Sequence, residues 1–148
     1  RKNGIPTLNG DVICYGIYET KDYRYMTLCA LETKFWRNFC AAAGQDAWIN
    51  AQFSRPNKEN EVYQEIVQLF ASKTFEEWIN FSMEVDCCMA PVLEADELSE
   101  HVYMKDRNLI HEKDSFRNMV TGCQSEAFSN EIIGAYPKLG QHNRAYQK

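Results

Sequence analysis

Residues 15–36 limit the possible folds of this chain more than any other segment. Residues 12–18 are apolar on both faces, which is typical of a strand covered on both sides, and a second strand is predicted over 24–30 after a polar turn at 20–23. A helical pattern follows the second strand directly. The segment therefore predicts two antiparallel strands and a helix, with the carboxylate of Glu32 at the strand-to-helix junction.

Three amphipathic helices are predicted from the spacing of apolar residues. The first covers 33–43, where Gly44 provides a natural stop, and the second covers 59–72. The third begins at Thr74, because Thr74 and Glu77 have the Thr-x-x-Glu spacing of a capping box. Its buried face is expected to consist of four apolar residues: Phe75, Trp78, Ile79 and Met83.

Shorter elements are predicted for the rest of the chain. Residues 45–58 are expected to be irregular, and 87–93 to form a short edge strand, because a proline there cannot donate to a ladder. Residues 94–105 are expected to form a short helix with acidic residues in its first turn. Two further strands are expected near 109–112 and 118–120.

Composition excludes several classes of protein. The 148 residues are 45% hydrophobic and 25% charged, which is typical of one globular domain and not of a disordered chain. The net charge of −5 argues against a nucleic-acid partner, and no apolar run is long enough to span a membrane. Most of the six cysteines lie in apolar patterns, which favours buried reduced thiols and predicts a cytoplasmic protein. The opening at Arg1, without an initiator methionine, is expected for the middle of a longer polypeptide.

A composite motif runs through residues 15–35 and continues in later segments. It matches at Tyr15, Tyr18, Thr20, Asp22, Tyr25, Ala30, Leu31, Glu32, Lys34 and Phe35. Further matching segments lie at 52–57, 70–78, 88–98 and 139–143. In this combination and order the chain resembles the class III CoA-transferases, the CaiB/BaiF type, a family that includes the α-methylacyl-CoA racemases.

The resemblance implies a domain organisation with an α+β fold. Residues 1–10 would be a linker, and 11–107 a small α+β domain in which an antiparallel hairpin or sheet packs against amphipathic helices. Residues 108–148 would return to a doubly wound large CoA-binding domain that lies outside this chain and carries the catalytic Asp. Two full-length chains would interlock as a homodimer.

The resemblance also implies a reaction, with alternatives. The full-length protein would move CoA from an acyl-CoA thioester to a carboxylic acid through an aspartyl-CoA intermediate, and this chain alone would be inactive. The alternatives are an α-methylacyl-CoA racemase, which epimerises the α-carbon by acid/base proton transfer, and a non-catalytic binding or dimerisation module. The coenzyme A thioester is a substrate in the enzymatic readings, with no covalently bound cofactor, no metal and no membrane partner.

Glu32 is the candidate catalytic residue. The resemblance places it in the active site beside the groups that exchange the α-proton. From its spacing alone, a first-turn acid that is stabilised by the helix dipole is the favoured role. Two departures from the family pattern also matter: Tyr23 stands where Gly is usual, so a looser loop is expected, and Gln52 stands where Arg is usual. The residues that contact CoA are not predicted.

Overall fold

The computed structural model describes residues 6–113, 116–119 and 137–146. The described residues group into two compact units that divide between Leu93 and Glu94. The first unit is a three-stranded antiparallel sheet with helices, which confirms the predicted α+β class. No helix in the described part of the chain is both long and apolar enough to cross a membrane.

The sheet has the strand order β1-β2-β3, with β1 at Tyr15–Glu19, β2 at Tyr25–Cys29 and β3 at Met89–Pro91. Both pairs are antiparallel, so the proline-containing strand lies at an edge as predicted. Alternation along the first two strands directs Tyr18, Met26 and Leu28 into the core, where each is at most 4% exposed.

The first strand is shorter than the apolar pattern predicted. Residues 12–14 are buried but lie in a turn, with Val12 bridging to Tyr15. The Ile13 N–H donates to the carbonyl oxygen of Ser54 over 3.0 Å and not to a strand. The apolar run therefore reflects burial under a neighbouring loop, because burial on two sides does not require strand pairing.

Three helices bury their apolar faces in the first unit: α1 at Thr33–Ala42, α2 at Glu61–Ser72 and α3 at Phe75–Glu84. Aromatic rings join them to the sheet. The Phe70 ring stacks on Tyr18 at 4.6 Å and on Trp78 at 4.5 Å between centroids. Fully buried side chains include Trp36, Phe39, Ile66, Phe70 and Trp78.

Two predicted helix boundaries are confirmed by their caps, whereas α2 begins at Glu61 and not at residue 59. The hydroxyl oxygen of Thr74 accepts from the Glu77 N–H, and the Glu77 carboxylate accepts from the Thr74 N–H, so both halves of the capping box are present. At the end of α1, Gly44 has a φ of +68°, a left-handed conformation that glycine adopts without strain.

Two further predictions in this unit are wrong. Residues 45–58 are not wholly irregular, because a 3-10 helix spans Asp46–Ala51 and buries Trp48. Met83 is not part of the core, as it is 73% exposed. A helix turns about 100° per residue, which carries Met83 to the flank of α3, whereas the Phe81 ring packs edge-on against Trp78 at 5.0 Å.

The second unit contains α4 at Val102–Asp106, an antiparallel pair of β4 at Ile110–Lys113 with β5 at Phe116–Met119, and α5 at Asn143–Tyr146. The two predicted strands are thus present with shifted bounds and pair with each other, and residue 120, the predicted end of the second, lies outside the described residues.

The predicted acidic helix over 94–105 is wrong, because residues 95–100 form turns and only the last part is helical. The Glu97 carboxylate accepts from the Glu94 N–H over 2.7 Å, and the Ser99 hydroxyl donates to the Asp96 carbonyl. Such local side-chain bonds offer the backbone an alternative to the helical ladder.

Candidate functional site

Glu32 lies at the N-cap of α1 with an exposed side chain. Its φ of −74° and ψ of 134° are extended, so it precedes the first helical turn and is not the first-turn acid that spacing favoured. Its side chain makes no capping hydrogen bond. Capping therefore does not explain a carboxylate at this position, where shorter polar side chains are usually preferred.

Gln52 holds the chain that leads to Glu32. It is only 6% exposed, and its Nε2 donates to the carbonyl oxygens of Ala30 at 3.1 Å and Leu31 at 2.8 Å. The Ala30 N–H donates in turn to the Cys14 carbonyl over 2.8 Å. The corner before Glu32 is thus fixed from two sides. Sequence analysis noted Gln52 only as a departure from arginine, and no local signal could have indicated its distant carbonyl partners.

The start of α1 is tied to the segment before β3. Lys34 Nζ pairs with Asp86 Oδ2 over 2.7 Å, and Asn38 Nδ2 donates to the Asp86 carbonyl over 2.8 Å. The Asp86 carboxylate raises the pKa of Lys34. Both charged groups are exposed, so this ion pair orients the two segments more than it stabilises them.

Cys88 lies close to Glu32 in this region and is exposed. Its pKa is raised above the usual thiol value, first by partial desolvation and then by the carboxylates of Glu32 and Asp86. The Cys88 backbone has a φ of +53°, in the left-handed region that few residues other than glycine adopt. The surface beside Glu32 therefore carries a second carboxylate and an accessible thiol.

The turn between β1 and β2 is tight, contrary to the looser loop expected there. The Thr20 N–H donates to the carbonyl oxygen of Arg24 over 2.8 Å, and the Tyr23 N–H donates to the carbonyl oxygen of Thr20 over 3.0 Å. Tyr23 has a φ of +61°. Tyr23 therefore adopts the left-handed conformation without being glycine. Its ring is 81% exposed, so nothing in the core constrains the side chain.

Thr20 and Asp22 connect this turn to α3. The Asp22 Oδ1 accepts from the Thr20 hydroxyl at 2.6 Å and from the Phe75 N–H at 2.9 Å, and these bonds lower the Asp22 pKa. The Arg24 guanidinium lies 3.9 Å from the centre of the Phe75 ring. The Thr-x-Asp part of the motif thus has a structural role that sequence analysis did not identify.

An open groove of about 530 Å³ lies on the outer face of β1 and β2. The strands turn apolar or small side chains toward it, with Ile17 65% exposed. The lining residues include Leu8, Gly10, Tyr15, Gly16, Ile17 and Thr27, with Cys29 at one end.

The other polar and aromatic residues considered for a functional role are not grouped at one site. Within residues 6–113, 116–119 and 137–146, no group of three or more metal-binding side chains is present. His142 is exposed next to the short α5. The three tryptophans are buried, and the Trp36 and Trp78 indole N–H groups donate to the carbonyl oxygens of Trp48 and Phe70, so all three pack in the core, as predicted for Trp78.

A profile of the family described as "CoA-transferase family III" matches residues 2–143. The chain belongs to CoA-transferase family III. This confirms the family resemblance that the motifs indicated.

Curated relatives agree with the family. A CaiB/baiF CoA-transferase family protein of Caenorhabditis elegans is 30% identical over 68% of this chain. Alpha-methylacyl-CoA racemases of Mus musculus and Homo sapiens are 28% and 27% identical over 68% of it. The matched region spans 28% of the first relative and 26% of each racemase.

A similar fold is found in a solved structure. The crystal structure of Rv3272, a hypothetical protein of Mycobacterium tuberculosis, has a TM-score of 0.65 at 20% identity, covering 95% of this chain and 41% of the other. At this identity the likeness shows the fold alone.

Proposed function

We propose that the full-length protein is a class III CoA-transferase that moves CoA from an acyl-CoA thioester to a carboxylic acid. The family match across residues 2–143 carries this proposal. An aspartate outside this chain would attack the thioester carbonyl, giving an acyl-aspartyl anhydride and free CoA. The CoA thiolate would then form an aspartyl-CoA thioester and release the first acid, after which the acceptor acid takes the CoA through a second anhydride.

In this proposal Glu32 is an active-site carboxylate. Its exposed position supports the role, as does the fixed corner that Gln52 holds through two carbonyl oxygens. A carboxylate beside an imidazole can orient the ring and stabilise its charged form. This is the contribution that the family resemblance assigns to Glu32.

An α-methylacyl-CoA racemase is the second candidate. It is favoured by the relatives in two mammals that carry this name and that align with 68% of the chain. Acid and base groups would then remove and return the α-proton of the thioester. Glu32 fits either reaction, because the family motif that contains it occurs in transferase-type and racemase-type members. A non-catalytic binding or dimerisation module is the third reading.

The domain assignment belongs to the same proposal. Residues 11–107 would be the small domain and 108–148 the segment that returns to the large CoA-binding domain, in an interlocked homodimer. The short coverage of the relatives, 26–28% of their length, supports a chain that represents one part of such an enzyme. The free thiols of the described cysteines are compatible with the predicted cytoplasmic location.

One assay separates the candidates. The full-length protein is incubated with a chiral 2-methylacyl-CoA in deuterated water, with and without an acceptor carboxylic acid, and the products are followed by mass spectrometry. CoA transfer that requires the acceptor supports the transferase. Deuterium at the α-carbon without an acceptor supports the racemase. The absence of both products supports the binding module.

The same assay on the 148-residue chain tests whether the nucleophile lies outside it. We expect no turnover, because the proposed nucleophile lies outside it. Turnover by this chain alone would contradict the assignment of the nucleophile to another part of the protein.

A further inference from the structure

Cys29 and Cys88 are opposed across the junction of β2 and β3. The strand register ends at the pair Leu28 and Met89, and just beyond it the Cys29 N–H donates to the carbonyl oxygen of Cys88 over 2.9 Å, where Cys88 has a left-handed φ of +53°. Residues opposed in a hydrogen-bonded antiparallel pair have Cα atoms about 5.5 Å apart. Disulfides span roughly 4.4–6.8 Å between Cα atoms, so the backbone separation suits a bond between the two sulfurs.

These two thiols are also accessible. Cys88 is exposed, and Cys29 is partly exposed and lines the open groove on the outer face of the sheet. In contrast, Cys14, Cys40 and Cys87 have no exposed surface. Burial raises the pKa of each of these three thiols to about 11, so they remain protonated at neutral pH.

The two thiols also interact electrostatically. A charge on Cys29 contributes to raising the pKa of Cys88, after desolvation and the carboxylates of Glu32 and Asp86. The nucleophile in disulfide exchange is the thiolate, so a raised pKa slows attack at neutral pH and makes the reaction faster as the pH rises.

We propose that Cys29 and Cys88 are a modification site at which a low-molecular-weight disulfide closes a cross-strand disulfide. With oxidised glutathione, the Cys88 thiolate attacks one glutathione sulfur, the glutathione S–S bond breaks, and one glutathione thiolate leaves. The Cys29 thiolate then attacks the Cys88 sulfur of the mixed disulfide and displaces the second glutathione. The two cysteines are oxidised, glutathione disulfide is reduced to two thiols, and the two cysteine protons go to the departing thiolates.

The chemical consequence concerns the surface beside Glu32. Closure removes the Cys88 thiol, whose ionisation the Glu32 carboxylate opposes, and it connects the end of β2 covalently to the residue before β3. This inference stands on the geometry of the two cysteines and does not depend on the proposed CoA chemistry.

The test is oxidation of the folded protein with glutathione disulfide at about pH 8.5, near the ordinary thiol pKa, followed by intact mass measurement and peptide mapping. We expect the loss of two hydrogens without a retained glutathione, and a crosslinked peptide that contains Cys29 and Cys88. Cys29→Ser should keep one glutathione on Cys88, because the resolving thiol is gone. Cys123→Ser is the matched control and should form the same crosslink as the wild type.

The peptide map of the oxidised wild-type protein tests the proposed disulfide even if a variant does not fold. A crosslink between the adjacent Cys87 and Cys88, a crosslink to Cys123, or a glutathione retained on wild-type Cys88 would each overturn the proposal. So would a wild-type protein in which both thiols remain unmodified after prolonged exposure to the reagent.

Discussion

At the scale of single residues, Glu32 combines a fixed backbone with a side chain that does not cap its helix. The carbonyl oxygens on its N-terminal side are held by Gln52, and the next turn is tied to Asp86 through Lys34. Such support is what a functional carboxylate requires, since a positioned charged group contributes most when its surroundings do not have to reorganise.

Glu32→Gln in the full-length protein tests this role. The substitution keeps the size of the side chain and removes its charge. We expect turnover to fall on the order of a hundredfold, as for other preorganised polar groups. Stability should change by less than about 1 kcal/mol, the limit for an exposed charge at a helix terminus. Steady-state kinetics and a denaturant melt measure the two effects.

Glu61→Gln is the matched control, because Glu61 is an exposed acid in the first turn of α2. It should share the small effect on stability and leave turnover unchanged. If Glu32→Gln retains activity within a few-fold, Glu32 has no catalytic role and is only an acid near the start of a helix.

Asp22→Asn tests the link between the turn and α3. The hydrogen bonds from the Thr20 hydroxyl and the Phe75 N–H lower the Asp22 pKa in the folded state. A lowered folded pKa stabilises the fold above the ordinary carboxyl value of about 3.9. This contribution is lost as the pH falls through the folded pKa. Asp22→Asn should therefore be less stable than the wild type at neutral pH, with a difference that shrinks in acid.

Denaturant midpoints at neutral and acidic pH measure this difference. Glu59→Gln is the control, because Glu59 is an exposed acid in a loop of the same unit. A deficit for Asp22→Asn that does not change between the two pH values would show that its charge is unimportant.

At the scale of elements, α2 and α3 begin at side-chain caps, whereas α1 begins at Glu32 without one. Asn60 caps α2 by accepting from the Tyr63 N–H, and Thr74 caps α3. Each cap satisfies an amide that the helix leaves unpaired. Only Lys73 and Thr74 separate α2 from α3, so the second cap lies in the short connection between the two helices.

Thr74→Ala should destabilise the unit by about 0.5–2 kcal/mol, because it removes the oxygen that accepts from the Glu77 N–H. Thermal or chemical unfolding measures the loss. Thr33→Ala is a matched change at the start of α1, where Thr33 is exposed and Glu32 occupies the N-cap, and it should have little effect. Equal losses in the two variants would mean that the capping box contributes nothing beyond helix propensity.

At the scale of the whole first unit, one aromatic cluster connects the helices to one another and to the sheet. The Phe39 ring approaches Trp36 at 5.7 Å, Phe70 at 6.1 Å and Trp48 at 6.2 Å between centroids. Residues from α1, α2 and the 3-10 helix therefore share one packed centre, so disturbance at Phe39 reaches each of them.

Phe39→Ala should cost about 3–5 kcal/mol, because Phe39 is fully buried and its removal leaves a cavity. Phe53→Ala is the matched control, since Phe53 is 56% exposed, and it should cost far less. Denaturant melts of both variants give the comparison. A loss below about 1 kcal/mol for Phe39→Ala would contradict its place at the centre of the core.

Prediction from sequence succeeded where the information was local. The helices over 33–43 and 59–72, the capping box at Thr74 and the edge position of the third strand follow from spacing, capping residues and a proline. The prediction was wrong at 94–100, where local side-chain hydrogen bonds replace the helix. It was also wrong at 12–14, where buried apolar residues have the pattern of a strand but lie in a turn.

By itself, the sequence determined the family, the α+β class and the identity of Glu32 as the candidate carboxylate. Motifs and periodicity depend on residues that lie close together in the sequence, so they can be recognised without the structure. Only the tertiary structure decided which distant groups support that residue. Gln52 reaches the carbonyl oxygens before Glu32, Asp22 reaches the start of α3, and Cys29 meets Cys88 across two strands. These contacts join residues that are 21 to 59 positions apart, and their geometry depends on how the packed core brings the elements together.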